Sequence, residues 1–196
     1  MMVKTALTLA LIAAPAAAQL PPGWSVRPDR GEAAQVKFAA MGSDFHVSPG
    51  QAGAIYREAD KVPGKFHTLA TFTQTKAPTH PEGYGLFFGG TDLQGPAEKY
   101  VYFLVRGDGA YLIKERDGDK TTVLVDWKAS DAVQKADAAG KATNKLEIDG
   151  SGAKVLFQVN GTTVYELDRA DRAGIVGLRV NHGLDVHIAG FAVHKL

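Results

Sequence analysis

The chain has 196 residues, 45% of them hydrophobic and 22% charged, and no cysteine. That size and composition suit one globular domain burying roughly 70% of its unfolded surface, and exclude a large multidomain enzyme and a mainly disordered chain. Without cysteine there are no disulfides, thiolate metal sites, cysteine nucleophile or lipidated N-terminal cysteine, and 22 basic residues against 21 acidic ones give no electrostatic grip on nucleic acid or an anionic membrane.

The first 18 residues read as a cleavable leader. Met1 to Lys4 supplies a short positive start, Ala6 to Ala14 an apolar run, and Ala16-Ala17-Ala18 a small-residue cleavage signal before Gln19. The run is too short to span a bilayer, and no later segment approaches the ~18 apolar residues a membrane helix needs. Cleavage near Ala18/Gln19 would remove Lys4 and no acid, leaving a formally neutral chain. A periplasmic or secreted protein without membrane insertion is expected, with residues 19–42 as a lead-in and 43–196 as the folded domain.

From residue 43 the hydrophobic pattern has period two. Strands are predicted at 43–47, 54–57, 66–74, 83–88, 99–106, 110–116, 121–127, 144–149, 153–159, 162–167, 175–180 and 184–194, with one short helix at 130–139 stopped by Gly140. Strands at this spacing predict an all-β fold, an antiparallel two-sheet β-sandwich of jelly-roll type.

Loop lengths then fix which residues face each other. A three-residue loop at Gly107-Asp108-Gly109 opposes Val105 to Tyr111, Phe103 to Ile113 and Leu104 to Leu112. It also sets Tyr102 against Lys114 and Tyr100 against Arg116, within reach of cross-strand cation–π contact. Asn160-Gly161 reads as a two-residue type I′ hairpin that places Phe157 against Val164. A three-residue loop at Asn181-His182-Gly183 pairs Val180 with Leu184, Leu178 with Val186 and Val176 with Ile188, all apolar, and puts Arg179 across from Asp185 and His187 across from Gly177.

Several segments then follow a known order. Gly83-Tyr84-Gly85-Leu86-Phe87-Phe88-Gly89-Gly90, Tyr100 to Val105, Asn144 to Ile148, Val155 to Gly161, Gly174-Ile175-Val176-Gly177-Leu178 and Val186 to Val193 resemble concanavalin A-like lectin/glucanase domains. The C-terminal part is similar to 3-keto-disaccharide hydrolase-like and laminin-G-like bacterial domains. The resemblance spans residues 43–196 and rests on turns and core strands, so it implies a fold more than a chemistry. The Glu-x-Asp-x-x-Glu strand of β-glucan hydrolases in that superfamily does not occur here, and Glu115-Arg116-Asp117-Gly118-Asp119 reads as a turn.

The outward face carrying Tyr100, Tyr102, Arg106, Lys114 and Arg116 is a candidate ligand platform, on which flat aromatics bury the apolar face of a sugar while cations and amides bond its hydroxyls. A face this apolar is equally explained as covered by a loop. Arg179, Asp185 and His187 are further candidates, since an imidazole beside a carboxylate can orient a ligand or move a proton; the alternative is a surface ion pair beside an exposed histidine. His80-Pro81-Glu82-Gly83-Tyr84 is the kind of loop that borders a groove. No metal-ligand spacing occurs, and Asp92, Asp108, Asp117 and Asp119 fall in turns without a calcium-loop pattern, so no cofactor is implied although Ca2+ is compatible with lectin-like sandwiches.

The expectation is an exported, non-catalytic module binding a carbohydrate or similar neutral polar ligand. A glycoside-active enzyme of the 3-keto-disaccharide hydrolase type and a structural or partner-binding envelope protein are the alternatives. Nothing in the sequence points to an oligomeric state.

Overall fold

The computed structural model of the chain describes residues 20–196, so the leader and its cleavage position lie outside the described residues. The strands in chain order are β1 (Trp24–Pro28), β2 (Lys37–Met41), β3 (Asp44–Ser48), β4 (Gly53–Val62), β5 (Phe66–Gln74), β6 (Gly83–Thr91) and β7 (Lys99–Arg106). They continue with β8 (Ala110–Asp117), β9 (Lys120–Ala129), β10 (Ala142–Asp149), β11 (Val155–Val159), β12 (Thr162–Leu167), β13 (Gly174–Val180) and β14 (Val186–Lys195). They form two seven-stranded sheets, sheet 1 in the order β1-β4-β13-β6-β7-β8-β9 and sheet 2 in the order β12-β11-β10-β5-β14-β3-β2. The lead-in contributes β1 to the edge of one sheet and β2 to the edge of the other.

Period-two alternation explains how sheet 2 packs. In β5, Phe66, Thr68, Ala70, Phe72 and Gln74 are buried and the residues between them are half-exposed, so one face meets the core and the other meets water. Sheet 1 differs, because β13 is buried at every position and β6 at all but Gly89 and Thr91. Near-continuous Gly, Phe, Leu and Tyr in β6 fit a strand covered on both faces. Its inner face joins the main core through Tyr84, Leu86 and Phe88. On its outer face, Phe87 packs in a second cluster with Ala54, Tyr56, Leu93, Tyr100 and Ile175.

The β7–β8 hairpin has the expected register throughout, from Arg106 opposite Ala110 to Tyr100 opposite Arg116. Asn160 and Gly161 both have positive φ, 50° and 81°, as a type I′ turn requires. Val159 faces Thr162 there, but a register shift between Phe157 and Gln158 sets Phe157 against Tyr165 rather than Val164.

Two expectations are corrected. Residues 130–139 are a series of turns, not a helix. A ten-residue helix is marginal on its own, and side chains from elsewhere take its backbone groups: Gln134 N–H donates to Asn144 Oδ1 at 2.7 Å, and the Asn160 amide donates to the Ala132 carbonyl at 2.9 Å.

The second correction concerns β13 and β14, which do not pair. Both edges of β13 are taken by β4 and β6, and β14 lies between β5 and β3 in the other sheet. Residues 181–185 are therefore a crossover between sheets. Val176, Leu178 and Val180 and their supposed partners Leu184, Val186 and Ile188 all reach the same core, facing it from opposite layers. A shared core produces the same apolar parity as a shared hairpin.

Candidate functional site

A cleft of about 270 Å3 opens on the outer face of sheet 1. Its floor comes from β7 and β8 through Tyr102, Leu104, Leu112 and Lys114, and its far side from Arg179 of β13. Trp127 of β9 forms one wall. The opposite rim combines Asp29 with Glu82, Asn181 and His182.

The sequence places these groups through simple devices. Gly83 lacks a side chain where the Trp127 ring passes, since a Cβ there would lie 2.7 Å from the indole. Arg106 lies over that ring, its guanidinium carbon 4.4 Å from the centroid, and donates to Asp108 at 2.7 Å. Arg106 thus backs the wall and does not line the cleft.

Arg179 is only 5% exposed. It donates through Nη2 to the Asp29 carboxylate and through Nη1 to the Val180 carbonyl, while its Nε has no partner. Burial works against its charge, but Asp29 in contact and the phenols of Tyr100 and Tyr102 outweigh that and raise its pKa. The guanidinium carbon lies 5.6 Å from the Tyr102 ring centroid. The cation beside Tyr102 is therefore Arg179, reaching across β6 at Gly85, rather than the expected Lys114.

Burial pushes the Tyr100 phenol up to about 12 against the pull of Arg179, and raises Tyr102 in the same way. Both stay neutral hydroxyls near neutral pH. Tyr100 is 4% exposed, packed between Phe87 and Tyr102 with centroids 5.3 and 5.7 Å away, so it supports the floor instead of offering a platform. Arg116 turns from Tyr100 to Glu98, 3.1 Å away, a carboxylate that Arg27 also holds at 3.0 Å.

The expected trio of Arg179, Asp185 and His187 is not formed. Arg179 belongs to sheet 1, whereas Asp185 contacts His46 and Lys76, each at 2.9 Å, and His187 lies 3.2 Å from Asp44 on the outer face of sheet 2. The arrangement that suggested acid–base work on a glycoside depended on a β13–β14 hairpin that does not exist.

Of the candidate residues, Tyr102, Lys114 and Arg179 share the cleft, with Tyr100 packed beside Tyr102 and Arg106 against Trp127. The loop at residues 80–84 does border the groove: Glu82 accepts from the Asn181 amide at 3.0 Å and lies 3.1 Å from His182 Nε2. Trp127, Asp29, Asn181 and His182 were missed as site residues. Asp29 lies 150 positions from Arg179, and β9 shifts register twice against β8 before Trp127, so neither local spacing nor strand parity pointed to them.

The arrangement can hold a polar molecule by fixed groups. Tyr102 and Trp127 supply ring surface, Lys114 and Asn181 donors, and Asp29 and Glu82 acceptors. Both carboxylates already accept hydrogen bonds from nitrogen donors, which fixes their positions.

Comparison with solved structures gives the architecture a name. The chain superposes on the carbohydrate-binding module CBM66 from Bacillus subtilis with a TM-score of 0.64, at 12% identity over 88% of this chain and 96% of that one. The chain has the concanavalin A-like jelly-roll fold. A galectin-like protein of unknown function from Bacillus subtilis matches it with a TM-score of 0.61 at 13% identity, over 88% of this chain and 89% of that one. The β-glucanase of Bacillus licheniformis matches the jelly roll with a TM-score of 0.60 at 10% identity, over 91% of this chain and 94% of that one. No family model and no curated protein sequence matches the chain.

Proposed function

We propose that the protein is an exported, non-catalytic module that binds a carbohydrate, or a similar neutral polar ligand, in the cleft on the outer face of sheet 1. The observation that carries this is the lining itself, which combines Tyr102 and Trp127 ring surface and the Lys114 ammonium with Asp29 and Asn181, each held by a hydrogen bond. A pyranose has one apolar face and a rim of hydroxyls, and this combination complements both. Solved relatives in fold that include a carbohydrate-binding module add support. Export rests on the leader at residues 1–18, which makes the periplasm or the medium the place of action.

A glycan screen of the full chain, followed by calorimetry on the best binder, tests the reading. Trp127→Ala and Lys114→Ala should each weaken binding at least tenfold, about 1.4 kcal/mol, and Lys114→Ala should leave the melting temperature unchanged. A screen without any binder, or variants that bind as the parent does, would sink it.

A further inference from the structure

The outer face of sheet 2, on the other side of the sandwich from the cleft, carries four histidines in two cross-strand pairs. His187 of β14 lies opposite His46 of β3, and His194 of β14 lies opposite His67 of β5. In the first pair each Nε2 meets a carboxylate, Asp185 or Asp44, and the ring centroids are 6.4 Å apart. The second pair is closer. Its rings are stacked with centroids 5.4 Å apart and planes 24° from parallel, and the two Nδ1 atoms face each other at 3.2 Å.

Hydrogen-bond logic fixes the tautomers in this second pair. His67 Nε2 is 3.2 Å from Glu147 Oε2, and Lys145 holds the other oxygen of that carboxylate at 3.1 Å. A carboxylate held in this way accepts, so His67 carries its proton on Nε2 and presents a bare Nδ1 lone pair. His194 then donates its own Nδ1–H across the gap. A carboxylate behind an imidazole whose far nitrogen is free is the outer half of a metal–histidine arrangement. Two imidazole nitrogens bound at the usual length to one tetrahedral ion stand roughly 3.3 Å apart. The observed 3.2 Å is close to that spacing.

We propose that His67 and His194 hold a divalent transition-metal ion of the imidazole-binding class, Zn2+, Ni2+ or Cu2+, through their Nδ1 atoms, with Glu147 orienting His67. Among the described residues no group of three His, Asp or Glu side chains is arranged to hold a metal, so water completes the coordination and part of the ion's sphere stays open. The Asp149 carboxylate, in register with His67 on β10, adds negative charge nearby. On binding, the His194 proton passes from Nδ1 to Nε2 through solvent. Both rings remain neutral and no net proton is released.

Titration of the full chain with ZnCl2, followed by calorimetry and by NMR of the imidazole nitrogens, tests the site. One equivalent should bind, with the Nδ1 signals of His67 and His194 moving most. His67→Ala and His194→Ala should each weaken binding at least tenfold, Glu147→Gln by about tenfold, and the double variant His46→Ala with His187→Ala should keep the site. Binding as strong as the parent's in either His67→Ala or His194→Ala, or no binding at millimolar Zn2+, would overturn the proposal. Circular dichroism of each variant separates loss of the site from loss of the fold.

Discussion

Asp185 draws its partners from two other segments: the Thr75 hydroxyl donates to it at 2.7 Å, and Lys76 and His46 each lie 2.9 Å away. Burial alone would raise its pKa, but the hydrogen bonds from Thr75 and Lys76 and the nearby positive charge hold it below the ordinary 3.8. Asp149 is lowered likewise, its burial outweighed by hydrogen bonds from Ser151. A carboxyl depressed on folding contributes stability that is whole above its unfolded pKa and lost as pH falls through its folded one. Melting curves between about pH 5 and pH 2 should therefore show the parent more stable than Asp185→Asn at the upper end, with the difference closing toward the lower end. A constant difference across that range would mean that Asp185 does not act through its charge. Sequence reasoning selected this residue for the wrong partner, because Lys76 and His46 are brought to it by neighbouring strands of sheet 2 rather than by its own turn.

Hairpins were legible where a short loop joined two strands that do pair, throughout at Gly107-Asp108-Gly109 and as far as Gln158 at Asn160-Gly161, beyond which a bulge shifts the pairing. The β13–β14 connection was not legible, since apolar alternation reports that a residue faces the core but not from which layer. The helix predicted at 130–139 does not form because Asn144 and Asn160, distant in sequence, take its backbone groups. Gly161 offers a test at this scale. Nothing lies within 4 Å of a Cβ built there, yet its φ is 81°, so Gly161→Ala costs only backbone strain, about 1–2 kcal/mol. A fall in melting temperature of about 2–4 °C per kcal/mol is expected for a chain of this size, and an unchanged melting temperature would show that the turn can relax into another type.

The two outer faces of the molecule differ: that of sheet 1 carries the cleft and a second buried aromatic cluster, and that of sheet 2 carries the histidine pairs. Formal net charge is +1, and in the cleft Asp29 faces Arg179 and Glu82 faces His182. Binding of a neutral glycan should then change less than about twofold between 0.05 and 0.5 M salt, whereas a polyanionic ligand would lose affinity steeply over that range; calorimetry in the two buffers distinguishes them. Fold class was readable because period-two patterning persists through the chain, whereas the cleft was half readable, since its wall and rim come from segments that only the strand order makes neighbours. That order has a further consequence. Among the described residues, 174–195 follow every other strand, yet β13 sits inside sheet 1 and β14 inside sheet 2. Until they arrive, each sheet is two fragments with raw edges where the last strand belongs, the condition under which molecules add strands to one another. Neither sheet can close before residues 174–195 are in place, so a product cut short before residue 174 would keep two open edges in each layer.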